Sequence, residues 1–271
     1  MPELPEVETT RRGIMPHVKG RRIMAVVVRQ RQLRYPVPLR LKHELKNQIV
    51  YDVVRRGKYL LLCCDAGSVI IHLGMSGSLR IVARDTVAGK HDHIDICLDN
   101  DLCLRLRDPR RFGLLLWTRR NVMQHRLLRD LGPEPLTLDF DSEYLYQRSR
   151  GRRQAIKQFI MDSHNVVGVG NIYASESLFM AGIHPLRAAG RVALPRYVVL
   201  VDAIKRVLQQ AIAQGGTTLR DFYYGDEQPG YFGQSLQVYG REAQDCRVCG
   251  SGIRQRRIGQ RASYYCPVCQ R

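Results

Sequence analysis

Acidic residues are scarce in this chain of 271 residues: 25 Asp and Glu stand against 43 Lys and Arg, a formal charge of +18. That deficit is too large for an ordinary metabolic enzyme and points to a polyanionic partner, nucleic acid first. Lysine is scarce too, with seven residues at 19, 42, 46, 58, 90, 157 and 205. Genomic base composition is the plain account of this arginine dominance; Lys58 and Lys157 are then places where an ammonium was kept. No apolar run approaches the ~18 residues that span a bilayer. The basic charge is spread along the chain rather than gathered on one amphipathic helix, so no membrane partner is expected. The start, MPELPEVETTRR, lacks the charged-then-apolar pattern of a secretion signal, and a cytoplasmic location is expected. Repeats and low-complexity runs are absent, and 44% hydrophobic with 25% charged residues excludes a disordered or collagen-like chain.

Within those limits the chain divides by period. Apolar runs at 22–28, 48–54, 59–63, 69–73, 94–98, 102–106 and 113–117, separated by Gly, Asp and Asn turns, predict an antiparallel sandwich or barrel. A helix is expected before it, starting at Pro5 and stopping near Gly13 or Pro16. Past Leu131-Gly-Pro-Glu-Pro-Leu136 the period turns helical, over 142–148, 153–161, 172–181 and 194–214. The expected division is 1–130, 131–235 and a tail at 236–271. The polar, Gly-rich stretch 215–233 has too little apolar content for core, so it is a functional loop or partly disordered.

The eight cysteines form two groups. Cys63, Cys64, Cys97 and Cys103 lie in strand-like stretches and are expected to be buried, inert thiols. Cys246-x2-Cys249-x16-Cys266-x2-Cys269 has the spacing of two knuckles on one tetrahedral Zn²⁺, with disulfides as the alternative. Four thiolates leave no open position, so one structural zinc is expected, folding a tail with little core of its own.

The front of the chain carries the unusual chemistry. Met1 precedes the small residue Pro2, so its removal is expected, leaving a secondary amine. Such an amine attacks a carbonyl-level carbon to give an iminium, a strong electron sink. Its reference pKa of about 7.7–8.0 leaves an appreciable nucleophilic fraction near neutrality. Glu3 is next to it as a general acid and base. The same residues also admit a plainer account, with Pro5 starting a helix and Glu3, Glu6 and Glu8 complementing its dipole. N-terminal-proline tautomerases use this amine as a base, but they are small chains without basic excess or zinc. Farther on, Gly168-Val-Gly-Asn171 precedes a helix, with Asn171 as expected N-cap and Lys157 upstream, an arrangement suited to a phosphate or to simple capping.

Met1–Glu8 (MPELPEVE), Asp108–Gly113 (DPRRFG), Gly168–Glu176 (GVGNIYASE) and the four-cysteine tail occur together in an order that resembles the formamidopyrimidine-DNA glycosylase family over essentially the whole chain. The resemblance implies an α+β protein. Its N-terminal antiparallel β-sandwich carries an N-terminal helix, and its C-terminal helix–two-turn–helix domain carries a four-cysteine zinc β-hairpin finger. It implies base excision repair: removal of oxidised purines such as 8-oxoguanine and formamidopyrimidines, followed by β,δ-elimination of the strand. Damaged double-stranded DNA is the implied partner of a monomer.

The resemblance also assigns residues. Pro2 becomes the nucleophile on the sugar, Glu3 moves protons, and Glu6 either supports the amine or serves the helix. Lys58 sits near the sugar-phosphate, and Arg261 contacts phosphate and takes part in δ-elimination. Met75, Arg110 and Phe112 fill the hole left by a flipped base, where a thioether and a ring wedge and a guanidinium bonds the orphaned base. His72, Asn171 and Tyr239 contact phosphate, and Lys157 and His91 are DNA-binding residues, while His91 and His93 lack metal-ligand spacing. The stretch 215–233 matches the family's lesion-capping loop, with Tyr223-Tyr224 where base discrimination could vary. Two alternatives stay open: the endonuclease-eight type for oxidised pyrimidines, disfavoured by Leu4 and the intact Met75, Arg110 and Phe112, and a zinc-containing DNA-binding protein without catalysis.

Overall fold

Alternating apolar residues between 23 and 118 form eight strands: β1 Ile23–Val28, β2 Val50–Arg56, β3 Tyr59–Cys64, β4 Gly67–His72, β5 Ser78–Ala83, β6 Asp92–Leu98, β7 Leu102–Arg107 and β8 Leu114–Thr118. The computed structural model describes residues 2–217, 233 and 235–271. Its strands pair antiparallel into two four-stranded sheets, ordered β1-β6-β7-β5 and β2-β3-β4-β8. One buried cluster joins Val26, Ile81, Ile96 and Leu104 of the first sheet to Val53, Leu60, Ile71 and Leu115 of the second. The architecture is the expected sandwich.

Three local features differ from the sequence reading. Strand β5 is absent from that reading, because Ser78 and Arg80 interrupt its apolar residues and no continuous apolar run marks it. Helix α2, Leu41–Leu45, buries only Leu41 and Leu45, an i, i+4 pair below any recognisable period. Helix α1, Leu4–Val18, runs through both Gly13 and Pro16. Pro16 removes one helical hydrogen bond, but Ile14 and Val18 on either side are fully buried and carry the helix past it.

A second compact unit begins at Asp130 and includes the helices and the tail. It contains α3 Ser142–Ser149, α4 Ile156–Met161, α5 Asn171–Met180 and α6 Leu194–Ala213. Asp141 caps α3 by accepting the Tyr144 amide at 2.7 Å. Tyr197, Leu200, Val201, Ile204, Val207, Leu208 and Ala211 form the buried stripe of α6. The tail folds as a hairpin, β9 Arg254–Ile258 against β10 Arg261–Tyr265. Its two-residue turn, Gly259-Gln260, has both φ angles positive, the conformation that joins tightly twisted strands. Of the expected loop at 215–233, Tyr223 and Tyr224 lie outside the described residues.

Candidate functional site

Strand register gathers the N-terminal candidates at one end of the sandwich. Arg56 pairs with Tyr59, Tyr59 with His72 and His72 with Leu114, so the β2–β3 turn bearing Lys58, the end of β4 and the start of β8 are level. In the other sheet Arg107 pairs with both Ser78 and Asp92. The β4–β5 loop with Met75, the β7–β8 loop with Arg110 and Phe112, and His91 just before β6 therefore emerge together.

The two long loops are fastened by Asp108, which is 0% exposed. Its Oδ1 accepts the Ser76 hydroxyl at 2.8 Å and the Arg110 amide at 3.3 Å, and its Oδ2 accepts the Gly113 amide at 2.7 Å. Backbones also touch. Gly74, at φ +65°, has no room for a Cβ, which would meet Phe112 and Gly113 backbone atoms at 2.5 Å. Held this way, Phe112 is 47% exposed, a rare state for a large apolar ring, and the Arg110 guanidinium lies 4.9 Å over it. Met75 is half-buried. In the sequence Asp108 is marked only by its place in the DPRRFG motif. An Asp before Pro with a Gly five residues on was the available signal for a carboxylate collecting loop amides.

The start of the chain points to this same end. Along α1, Glu8 bonds Arg55 at 3.2 Å, Arg11 bonds the Val53 carbonyl at 3.3 Å, and Gly20 just beyond the helix bonds the Val50 carbonyl at 2.7 Å. The helix thus runs against β2 with its first turn toward Arg56 and the Lys58 turn. Pro2 is half-buried and Glu3 is 2% exposed. Glu6 accepts the Glu3 amide at 2.9 Å and is the third residue of the helix, which gives it a capping role. Glu8 does more than complement the dipole: it also pairs with Arg11 and Arg12 at 2.9 Å. Against the cost of burial, these guanidiniums hold its carboxyl down at about 2.

His72 is a neutral donor. Its Nδ1 accepts the Gly74 amide at 2.9 Å, so the ring proton sits on Nε2. Burial, helped by the positive charges of Arg34 and Lys58, lowers its pKa to about 4. His91 is half-buried at the loop cluster, whereas His93 is buried and donates Nε2–H to the Asp108 carbonyl at 2.8 Å. The inner thiols are as expected except Cys63, which is half-buried; burial raises Cys64 to about 12, and Cys97 and Cys103 are cross-strand partners.

In the second unit the sequence motifs converge on β10. Lys157 donates Nζ–H to Ser263 Oγ at 2.7 Å and to the Ala262 carbonyl at 3.1 Å. Asn171 donates Nδ2–H to that same carbonyl at 3.0 Å. Lys157 is only 1% exposed, so it positions the hairpin strand rather than offering an open ammonium. Gly170, not Asn171, is the N-cap of α5; Asn171 is its first residue, and its side chain reaches across to the strand. Arg261, next to Ala262, is exposed at the hairpin turn. Tyr239 is positioned by Glu176, a buried carboxylate on α5 that accepts the amides of Gln237, Val238 and Tyr239 at 2.8–3.0 Å. Its ring packs edge-on against Tyr264 at 5.1 Å.

Cys246, Cys249, Cys266 and Cys269 bring four Sγ atoms within 4.8 Å of one another, with 3.9 Å between Cys246 and Cys269 and 3.5 Å between Cys249 and Cys266. Thiolates ~2.3 Å from a tetrahedral ion lie about 3.8 Å apart, so the set fits a four-coordinate metal.

The sequence and fold have clear relatives. Residues 1–115 match the model of the formamidopyrimidine-DNA glycosylase N-terminal domain, and residues 131–223 match that family's H2TH domain. Formamidopyrimidine-DNA glycosylases of Nitrosococcus oceani and Pseudomonas putida are 58% and 59% identical, each with both chains covered in full. A Lactococcus lactis FPG mutant in complex with a Fapy-dG containing DNA superposes with TM-score 0.92 at 33% identity, covering 100% of both chains. MutM (FPG) from Thermus thermophilus gives 0.88 at 35% identity, covering 99% of this chain and 98% of that one.

Proposed function

The chain belongs to the formamidopyrimidine-DNA glycosylase family, and from that premise we propose that it is a base excision repair glycosylase and lyase acting on oxidised purines in duplex DNA. The observation that carries this reading is the direction of α1, which brings Pro2 and Glu3 to the sandwich end that also bears Lys58, His72, Met75, Arg110 and Phe112.

With Met1 removed, the Pro2 amine attacks the sugar C1′ of the damaged nucleotide; the C1′–base bond breaks, and the base leaves with a proton. The C1′–O4′ bond then opens, the proline nitrogen loses its proton, and O4′ takes a proton from Glu3, which leaves the C1′=N iminium. The resulting iminium withdraws electrons, so loss of a C2′ proton expels the 3′ phosphate, and further elimination expels the 5′ phosphate. Glu3 handles the sugar protons. The helix cap made by Glu6 fixes the peptide between Pro2 and Glu3. Phe112 and Met75 wedge into the stack while Arg110 meets the orphaned base. Phosphates are gripped by the neutral His72 Nε2–H, the Lys58 charge, Tyr239 and Arg261; Arg261 also assists δ-elimination, and His91 adds a contact. Lys157 and Asn171 act through the strand they hold.

We assign the four-thiolate site to one structural Zn²⁺, which supplies folding energy to the tail and no chemistry. The division into 1–130, 131–235 and 236–271 follows these roles, in a monomer working in the cytoplasm. Borohydride reduction with duplex DNA containing 8-oxoguanine tests the reading. A covalent adduct at Pro2 is expected, and Pro2→Gly lowers its yield by roughly 10²-fold or more, the scale of a misplaced nucleophile. An adduct mapped to another residue, or none from protein shown by intact mass to lack Met1, overturns it.

A further inference from the structure

Two stretches of the second unit, 144–161 and 177–201, contain no Asp or Glu yet carry Arg148, Arg150, Arg152, Arg153, Lys157, Arg187, Arg191 and Arg196. The fold clamps them together. Ala155 bridges Ala188, and the amides of Ile156, Ala189 and Gly190 bond the carbonyls of Arg187, Gln154 and Arg152 at 2.7–3.0 Å. Gly190 permits this approach, since a Cβ there would meet the Arg152 carbonyl oxygen at 2.9 Å.

Half of these cations have structural tasks: Arg148 bonds Asn165, Arg150 the Val192 carbonyl, Arg196 the Gly182 carbonyl, and Lys157 holds β10. The other four, Arg152, Arg153, Arg187 and Arg191, are exposed and make no side-chain hydrogen bond or ion pair among the described residues. Arg187 and Arg191 line a concavity of about 710 Å³ together with His184, Leu186, Ala188 and Arg271. Neither stretch supplies a carboxylate side chain to offset these like charges, and such a grouping favours an anion.

We propose that Arg153, Arg187 and Arg191 form a second phosphate-binding surface, which takes the backbone of duplex DNA flanking the lesion. The proposal rests on the function proposed above. Its chemistry favours DNA over an acidic protein, because the concavity has only Leu186 and Ala188 as apolar lining, whereas protein interfaces centre on large desolvated anchors. It is also continuous with the β10 site: the Lys157 amide bonds the Pro185 carbonyl at 3.3 Å, while its ammonium supports Ala262 beside Arg261.

The test compares the full-length protein with the Arg153→Gln/Arg187→Gln/Arg191→Gln variant on a lesion-centred duplex of about one helical turn and on one of about three turns (roughly 10 bp per turn). On the long duplex the variant should lose up to about 2.7 from the slope of log K against log salt, at ~0.9 per phosphate contact. On the short duplex its slope and excision rate should equal those of the unaltered protein, and the two proteins should melt together. Unchanged slopes on the long duplex overturn the proposal, as does equal loss on both lengths. Loss of binding to polyglutamate with unchanged DNA slopes overturns it in favour of an acidic partner. If the unaltered protein fails to excise from the short duplex, the proposed function fails instead.

Discussion

The exposed loops of the N-terminal unit stand on a sandwich core contributed by both sheets and α1, whereas the C-terminal hairpin stands on a buried cluster of Phe179, Val238, Cys246, Ile253 and Cys266. Both regions present side chains that must stay rigid in water. In the first, a buried carboxylate and a glycine–glycine approach fasten the loops to a body that is already stable. In the second, two of the five buried side chains are themselves proposed metal ligands, so under that proposal a metal takes the place of core. The two regions should therefore fail under different insults.

The largest separation is expected from the tail. Cys246→Ala, or a strong chelator on the unaltered protein, removes a site with ~10–16 kcal/mol of apparent binding energy. Amide protection over 245–271 should vanish while that of the sandwich strands persists, and DNA affinity should fall at least about tenfold, or 1.4 kcal/mol. Collapse of sandwich protection as well would break the comparison.

Asp108→Ala probes the other side. It leaves the Ser76 hydroxyl and the Gly113 amide without their acceptor, at about 1–3 kcal/mol each. Thermal unfolding of the N-terminal unit should move down by several degrees, about 2–4 °C per kcal/mol, with zinc content unchanged. A melting temperature equal to that of the unaltered protein would remove Asp108 from its place as fastener.

The smallest effect is an acid titration confined to the sandwich. Glu8 has its folded pKa depressed to about 2 from an ordinary 4.5, so its contribution is fully present above 4.5 and is lost as pH falls toward 2. His72 titrates at about 4 rather than 6.5 when folded, so the unfolded chain binds the extra proton first and stability falls between pH 6.5 and 4. Urea midpoints of Glu8→Gln and His72→Gln measured from pH 7 to 3 should each flatten one window. A variant that keeps the full acid slope in its window would show that the group is not its source.

Much of the fold was legible in the sequence because the relevant signals are local. Turn residues bounding apolar runs located seven of the eight sandwich strands, and two Cys-x2-Cys knuckles located the tail. Two elements escape for the same reason: in β5 the polar Ser78 and Arg80 interrupt the apolar run, and α2 buries only Leu41 and Leu45, too few to define a period. At the site, residue types alone pointed to Pro2, Glu3 and the cysteines. The functions of Asp108 and Glu176 did not show, and Glu6 stayed divided between amine and helix, since an acidic residue is written the same way whether it binds a substrate or collects backbone amides.

By itself the sequence determined the charge that calls for a polyanion, the four-thiolate cluster and the presence of a proline positioned to become a terminal amine. Only the tertiary structure decided that α1 runs against β2 in the direction that brings Pro2 to the loop end, that Lys157 is turned inward to support Ala262, and that two acid-free stretches lie side by side. Composition and spacing survive in one dimension, but direction, burial and the meeting of distant segments depend on which backbone groups pair across tens of residues.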